Sequence, residues 1–377
     1  MEAALQVLLL EPFWGGSHRA AAEGWMRHTR HRVLLESLPP RFWKWRMRGA
    51  ALEFAGRIQK GGQRPDVLLV TSMVDLAHLK AALRDPPPAL LYFHENQAAY
   101  PGRPGEPAAE RDLQFAFTNL ASVAVAERVA FNSAFQRRAF LEGMGELLRR
   151  MPDARPHWVL ERAERISEVL PLGIEVGELP LRPAGLPGAP PLVLWNHRWE
   201  HDKAPEVFFR VLRALADDGV PFRLAVAGES FRDTPEVFRQ AREALASRVV
   251  HWGFVAQRAE YCRLLARADV VVSTARQENF GLSMLEAACA GAHPLAPAAL
   301  SYPEVFPATW HERCLYRDED DLRHRLRCLL EGSEARLGPA ELRQGLAGYD
   351  WQERAAGFDR LLALVLATNR IVRFCSK

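Results

Sequence analysis

A chain of 377 residues that is 48% hydrophobic and 25% charged has the composition of a globular protein long enough for two domains. Its formal net charge of +3 excludes a polycation, so contact with nucleic acid must come from a local basic patch. There is no secretory apolar segment and no apolar run near the roughly 18 residues of a membrane span, and the five cysteines contain no C-x-x-C pair, which gives the expectation of a reduced, cytoplasmic protein with no metal site.

In chain order, Leu5–Leu10 (LQVLLL) reads as a buried strand. The run after it, Glu11–His18 (EPFWGGSH), brings two glycines and a helix start from about Ser17. Adjacent glycines let backbone approach a ligand, and a helix start can face phosphate; a plain tight turn fits the same residues. Pro39–Ala51 (PPRFWKWRMRGAA) interleaves Arg41, Lys44, Arg46 and Arg48 with Phe42, Trp43 and Trp45, and no acid falls between Glu36 and Glu53. Cations for phosphates beside flat rings for unstacked bases are what single-stranded RNA needs. An amphipathic helix burying Trp43 and Met47 and leaving a solvated basic face is the alternative. Asp66–Thr71, Ala89–Phe93 and Arg128–Phe131 are further short strands with helices between. His94 and Glu95 emerge at the end of the second of these, within Tyr92–Pro101 (YFHENQAAYP), where a histidine can serve a hydroxyl or cap the structure.

Leu179–Pro191 (LPLRPAGLPGAPP) is rich in proline and glycine and reads as a linker. A second cycle follows, with strands at Leu192–Trp195, Phe222–Ala227, Arg248–Trp252, Val270–Thr274 and His293–Ala296. Trp195–Lys203 (WNHRWEHDK) places Arg198 and Lys203 on a strand-to-helix turn, where they can clamp a diphosphate or simply sit in solvent. His251–Val255 (HWGFV) offers Gly253 and Phe254 at another strand end, where a glycine lets main chain reach a base edge. Ala275–Gly291 (ARQENFGLSMLEAACAG) carries Glu278 and Glu286 around a helix expected to open near Asn279–Gly281 and to close at Gly291. Carboxylates for sugar and ribose hydroxyls, with helix N-terminal amides between them, suit a nucleotide sugar. Two ordinary surface glutamates would give the same spacing. Two successive βαβ cycles predict an α/β chain of two Rossmann-like domains facing a cleft. They span residues 1–178 and 192–350, with 179–191 as the linker. A terminal helix in 351–377, placed at Trp351–Val372, is free to cross back to the first domain.

Together these motifs resemble the retaining glycosyltransferases of GT-B architecture. FWGGSH, YFHENQAAYP, KWRMR, WNHRWEHDK, HWGFV, ENFGLSMLE and YPEVFP (Tyr302–Pro307) resemble, in order, the tRNA-queuosine α-mannosyltransferase family over about residues 5–330. The dipeptide Ala98–Ala99 departs from the bulkier residue expected there, and residues 142–170 match no motif. The resemblance implies transfer of mannose from GDP-mannose, with retention, to queuosine in the anticodon of tRNA-Asp. It implies a catalytic set of His94, Arg198, Lys203 and Glu278. Donor contacts would come from Gly15, Gly16, Arg198, Lys203, Gly253, Phe254, Glu278, Asn279, Phe280, Gly281, Leu282 and Glu286. The acceptor nucleoside would meet Ser17, His18, His94, Glu95 and Asn96, and RNA would meet Arg41, Trp43, Lys44, Trp45, Arg46 and Arg48. With no D-x-D pair beside a donor strand, no metal or other cofactor is expected, the leaving diphosphate helping to deprotonate the acceptor. No membrane and no obligate protein partner is expected either. A GT-B enzyme with another acceptor, a nucleotide-sugar epimerase or hydrolase, and a non-catalytic RNA-binding protein on the same scaffold remain as alternatives.

Overall fold

The computed structural model describes residues 3–97, 113–183, 188–229 and 235–375, without the side chains of 370–375. Ala98–Pro101, the last four residues of the YFHENQAAYP motif, lies outside the described residues. The chain divides into two compact units, Met1–Gly173 with Trp351–Lys377 and Ile174–Asp350.

The first unit opens with β1 (Gln6–Glu11), α1 (Gly16–His28), β2 (Arg32–Ser37), α2 (Trp43–Gly61), β3 (Val67–Thr71) and α3 (Leu76–Ala82). It continues through β4 (Ala89–Phe93), α4 (Leu113–Val125), β5 (Arg128–Phe131), α5 (Ala134–Arg150), α6 (Trp158–Ile166) and β6 (Ser167–Val169). The apolar runs of β3 and β4 are buried at every position, as a parallel sheet covered on both faces requires. Helix starts follow local chemistry: the Asp75 carboxylate accepts from His78 N–H at α3, and the Ser133 hydroxyl accepts from Gln136 N–H at α5. All pairings are parallel, in the order β2-β1-β3-β4-β5-β6. The strand order turns back between β1 and β3, and open parallel sheets bind ligands beyond the carboxyl ends of strands at such a point.

The second unit holds β7 (Leu192–Trp195), α7 (Pro205–Asp217), β8 (Arg223–Ala227), α8 (Glu236–Ala244), β9 (Val249–Gly253) and α9 (Arg258–Leu265). Then come β10 (Val270–Val272), α10 (Leu282–Cys289), β11 (His293–Pro297), α11 (Tyr302–Val305), α12 (His311–Cys314) and β12 (Leu315–Tyr316). α13 (Glu319–Glu331) and α14 (Pro339–Gly345) complete it, and α15 (Trp351–Cys375) belongs to the first unit. Its strands are again parallel, in the order β12-β11-β10-β7-β8-β9, which reverses between β10 and β7. Its core joins Trp195, Phe208, Phe209 and Phe238, with Trp199 stacked on Phe238 at 4.3 Å.

The boundary between units differs from the expected linker. Leu179–Arg182, the start of the Pro-rich run, packs on the second unit: Arg182 N–H donates to Ala290 O at 2.7 Å, and its guanidinium pairs with Asp269 at 2.5 Å. The chain instead leaves the first unit at Gly173, held there by the Trp351 ring that fills the space beside it. The strand expected over Val270–Thr274 ends at Val272; Ser273 N–H still donates to Leu295 O at 2.9 Å, and the Thr274 hydroxyl donates to Lys203 O.

Candidate functional site

In the second unit, the loop after β7 and the loop after β10 meet at the reversal of strand order. Lys203 is buried there; its ammonium donates to Gln277 O at 2.6 Å and lies 3.3 Å from both Glu278 and Asp202. The Thr274 hydroxyl donates to Lys203 O, and Arg276 N–H donates to Asp202 O, so the two loops are tied through main chain. Several polar atoms of the first loop are buried without a hydrogen-bond partner in the protein: Asn196 Oδ1, Trp199 Nε1, His201 Nε2 and Asp202 Oδ1. Buried polar groups are normally satisfied, so their concentration at one strand end calls for ordered water or a polar ligand there. Gly228, at the end of β8, has room for no side chain because His197 O lies against it.

Glu278 does more than face this loop. Its Oε1 accepts from Gly281 N–H at 3.1 Å and from Phe280 N–H at 3.4 Å, so the carboxylate covers two of the amides expected to meet phosphate. The helix opens where expected, with Gly281 as its N-cap in the left-handed region at φ 88° and Leu282 as its first residue. A side chain at Gly281 would also press on the Tyr302 ring, whose hydroxyl pairs with Ser273 Oγ at 2.6 Å. Gly291 closes the helix at φ 109°, as its sequence position predicted. Asn279 accepts from Gln277 Nε2 at 3.2 Å, and Phe280 packs edge-on against Tyr349.

The two glutamates sit in opposite electrostatic settings. Burial alone would raise Glu278, but Lys203 and the Phe280 amide outweigh it and hold the carboxyl below its usual range. Burial raises Glu286 despite its 2.7 Å pair with Arg258. Burial, then Lys203, pushes the neighbouring His197 down to about 4, so it is neutral at physiological pH. Asn196 Nδ2 donates to Tyr261 OH at 3.0 Å and to Ser283 O at 2.9 Å, which joins β7, α9 and α10 around Glu286. Arg198 is different from Lys203: it is exposed and lies 3.3 Å from Glu200 on its own loop. Gly253, at φ 123°, ends β9 with open space on its Cβ side, and the Phe254 ring beside it is exposed.

In the first unit, Gly15 and Gly16 start α1. Gly15 packs against Pro40 and Gly16 takes φ 51°, a place where glycine is the natural residue. Ser17 is exposed on the first turn and His18 is buried. His18 Nδ1 meets the fully buried Glu11 at 3.0 Å, and its ring lies 4.3 Å from that of His94. Burial, with His18 adding to it, holds His94 well below the usual imidazole range. Glu95 O accepts from Ser72 Oγ at 2.8 Å, and Asn96 is buried. Of the residues expected to meet an acceptor, His18, His94 and Glu95 gather around the ends of β1, β3 and β4. Glu11 was not foreseen; as an acid closing an apolar strand it was the available signal. Asn196, His197 and Asp202 stood inside WNHRWEHDK but were overshadowed by the cations, and Tyr261 and Arg258 lie on a helix with no motif.

The basic and aromatic run leads through Arg41 and Phe42, the N-cap, into the first turns of α2. Met47 is buried with Met73 and Phe115, and Trp43 packs on Phe115 at 5.1 Å while remaining 38% exposed. Trp45 stands 76% exposed, Phe42 is exposed beside it, and Arg41, Lys44 and Arg48 are exposed with them. Arg46 is half-buried and donates to Pro39 O at 3.3 Å. Lys44 lies 5.7 Å from the Trp43 ring and Arg48 5.4 Å from Phe115, so the cations hold the aromatic edge.

A family profile described as "tRNA-queuosine alpha-mannosyltransferase N-terminal" matches residues 6–174, and one described as "Glycosyl transferases group 1" matches 181–341. A protein from Drosophila melanogaster named tRNA-queuosine alpha-mannosyltransferase is 37% identical over 319 residues, 80% of this chain and 81% of its own. A Mycobacterium tuberculosis protein, GDP-mannose-dependent alpha-(1-6)-phosphatidylinositol dimannoside mannosyltransferase, is 28% identical over 42% of this chain and 40% of its own. Among solved structures, sucrose-phosphate synthase from Thermosynechococcus elongatus aligns with a TM-score of 0.67 at 17% identity, over 99% of this chain and 100% of that one. Anabaena Alr3699/HepE in complex with UDP and glucose aligns with a TM-score of 0.70 at 14% identity, over 97% and 100%. The two parallel six-stranded units are those of a GT-B fold.

Proposed function

Because the chain belongs to the tRNA-queuosine alpha-mannosyltransferase family, and is therefore a glycosyltransferase that modifies tRNA, we propose that it transfers mannose from GDP-mannose, with retention, to queuosine in the anticodon of tRNA-Asp. The observation that carries the donor half is the Lys203–Glu278 pair beside the N-terminus of α10. Lys203, with Arg198, meets the charge that develops on the leaving diphosphate. Glu278, kept anionic by Lys203 and the Phe280 amide, receives sugar hydroxyls, and Glu286 receives the ribose diol. The GDP-mannose dependence printed for the mycobacterial relative supports this donor. Two amides now covered by Glu278 become available to a phosphate when the carboxylate turns to the sugar.

The acceptor half is the first unit, with the exposed α2 turns for the anticodon loop and the His18–His94 group for the nucleoside. Such an enzyme works where tRNA is modified, in the cytoplasm, and among the described residues no helix is long and apolar enough to cross a membrane. Since cationic side chains and a helix N-terminus face the diphosphate, no metal is required; transfer with EDTA present is expected to match transfer without it. Nucleoside mass spectrometry of queuosine-containing tRNA treated with GDP-mannose tests the whole reading. A hexosyl adduct on queuosine is the expected product. Donor turnover without tRNA points to a hydrolase, and tight RNA binding without turnover to a binding protein.

A further inference from the structure

Arg258, the first residue of α9, has no part in the reading above, yet its guanidinium holds the carboxylate assigned to the ribose. Its Nη2 lies 2.7 Å from Glu286 Oε1, and its Nε donates to Glu178 Oε2 at 3.3 Å. The guanidinium also lies 5.7 Å from the ring of Tyr261, whose hydroxyl accepts from Asn196 Nδ2 at 3.0 Å. A planar fork with donors on separate nitrogens can bridge two carboxylates in this way, so Glu178 fixes the cation that fixes Glu286. Glu286 is buried on α10, and burying a carboxylate is costly unless a partner meets its charge. Arg258 is its one ion-pair partner among the described residues. The other titratable groups facing it are Tyr261 and Cys262 of α9, Glu178 of the turn Val176–Glu178, and Cys289 on its own helix. Burial pushes the tyrosine and both thiols up, so these three are neutral, and Glu178 adds negative charge. Arg343 of α14 donates to main chain, at Cys289 O and Leu179 O. Burial, the largest influence, raises the Glu286 carboxyl even with Arg258 in place, so loss of Arg258 raises it further.

We infer that Arg258 is a positioning residue for the donor: it orients Glu286 and holds it as the anion that accepts from both hydroxyls of the ribose diol. The inference rests on the mannosyl-transfer reading above, in which Glu286 receives that diol. An ionised carboxylate only accepts, and each of its oxygens has two lone pairs, so Oε1 can keep Arg258 and still serve a hydroxyl. A protonated carboxyl turns one oxygen into a donor and no longer matches two O–H donors. A site built to accept from a hydroxyl rejects a nucleotide that lacks it, because a buried acceptor is then left unpaired.

The test measures binding of GDP and of 2′-deoxy-GDP by calorimetry, between about pH 8 and about pH 6. It compares the parent chain with Arg258→Met, Arg258→Lys, Glu286→Gln and the Arg258→Met, Glu286→Gln double variant. The parent is expected to prefer GDP by on the order of 10-fold throughout. Arg258→Met should come nearest to that preference at the upper pH and lose it as pH falls, because its unpaired carboxyl takes up a proton earlier than the parent's. Arg258→Lys returns the charge and should return the parental profile. Glu286→Gln should bind GDP weakly at every pH and without preference, and adding Arg258→Met to it should change nothing further. An Arg258→Met variant with the parental preference and pH profile overturns the inference. So does one that weakens both nucleotides equally at every pH, since the guanidinium would then touch the nucleotide itself or merely pack. If Arg258→Met fails to fold, Arg258→Gln, neutral but still a hydrogen-bond donor, is read in its place. A parent that fails to bind GDP, or binds it no better than 2′-deoxy-GDP, overturns the donor reading and this role together. A parent with that preference and an Arg258→Met variant that keeps it overturn this role alone.

Discussion

Lys203 and Arg198 carry the same charge in one motif, but their surroundings give them unequal weight. Lys203 is buried between Asp202 and Glu278, so Lys203→Ala removes a phosphate partner and also strands a buried carboxylate. Arg198 is exposed beside Glu200, so Arg198→Ala removes a phosphate partner from a more solvated setting than that of Lys203. Both alanine variants should slow mannosyl transfer by about 10²-fold or more, with Lys203→Ala the slower and the less stable. Steady-state rates and melting temperatures measured together check the order; near-parental rates in both would move the diphosphate elsewhere. The buried histidines give a second expectation. His197 and His293 are both pushed down to about 4, chiefly by burial. Between the ordinary imidazole pKa near 6.5 and that value, the unfolded chain binds protons that the folded protein does not, so stability falls as pH drops. The cost is about 2 kcal/mol for each histidine at pH 5 relative to neutral pH. Thermal melts at the two pH values should differ accordingly; identical melts would mean that these rings are protonated in the fold.

At the scale of elements, α2 decides between an RNA acceptor and a small one. Its inner side is packed through Met47, and both readings of the sequence hold a part of the truth: Trp43 is shared between the Phe115 ring and solvent, while Trp45 projects fully. A free sugar or a lipid gives no reason for exposed cations beside an exposed indole. Lys44→Ala with Arg46→Ala should weaken tRNA binding and shallow the slope of its salt dependence by roughly 0.7 to 0.9 for each phosphate no longer neutralised. Trp45→Ala should cost about 1–3 kcal/mol of RNA binding if its ring stacks on a base. GDP-mannose binding should be untouched by both changes; tRNA binding equal to the parent would leave α2 as a solvated face. The strands legible in the sequence were those with long apolar runs, β1, β3 and β4 among them. β2 is only partly buried, and β6 and β12 have three and two residues, too few to show a period. The helix start at Leu282 was legible from Gly281, but the Glu278 carboxylate folding back onto the Phe280 and Gly281 amides was not. Local sequence announced the motif residues, whereas pairs formed between distant segments, such as Asn196 with Tyr261 or Lys203 with Gln277, required the fold.

The whole molecule is two units, of which only the second is continuous in sequence. The first is completed by α15 from the far end of the chain. Trp351 fills the space beside Gly24 and Gly173, where no side chain could fit, and Phe358 stacks near Tyr92 and Trp25. Asp359 accepts from Trp25 Nε1 at 3.2 Å, from Thr29 Oγ1 at 2.5 Å and from Arg30 N–H at 3.0 Å. Removing α15 therefore strips apolar cover from β3, β4 and α1 and also leaves buried donors without an acceptor. A fragment of residues 1–173 should not reach a single folded state, while residues 174–350 should fold alone, since their core and sheet are complete. Trp351→Ala in the full chain isolates the packing part of this dependence: a large buried ring replaced by a methyl group costs about 3–5 kcal/mol. It should lower the melting transition of the first unit and leave that of the second in place. Amide exchange followed by mass spectrometry reads the two units separately, with faster exchange expected in β1, β3, β4 and α1 and unchanged protection in β7, β8 and β10. Equal protection throughout the variant, or a folded 1–173 fragment, would show that the first unit does not need its terminal helix.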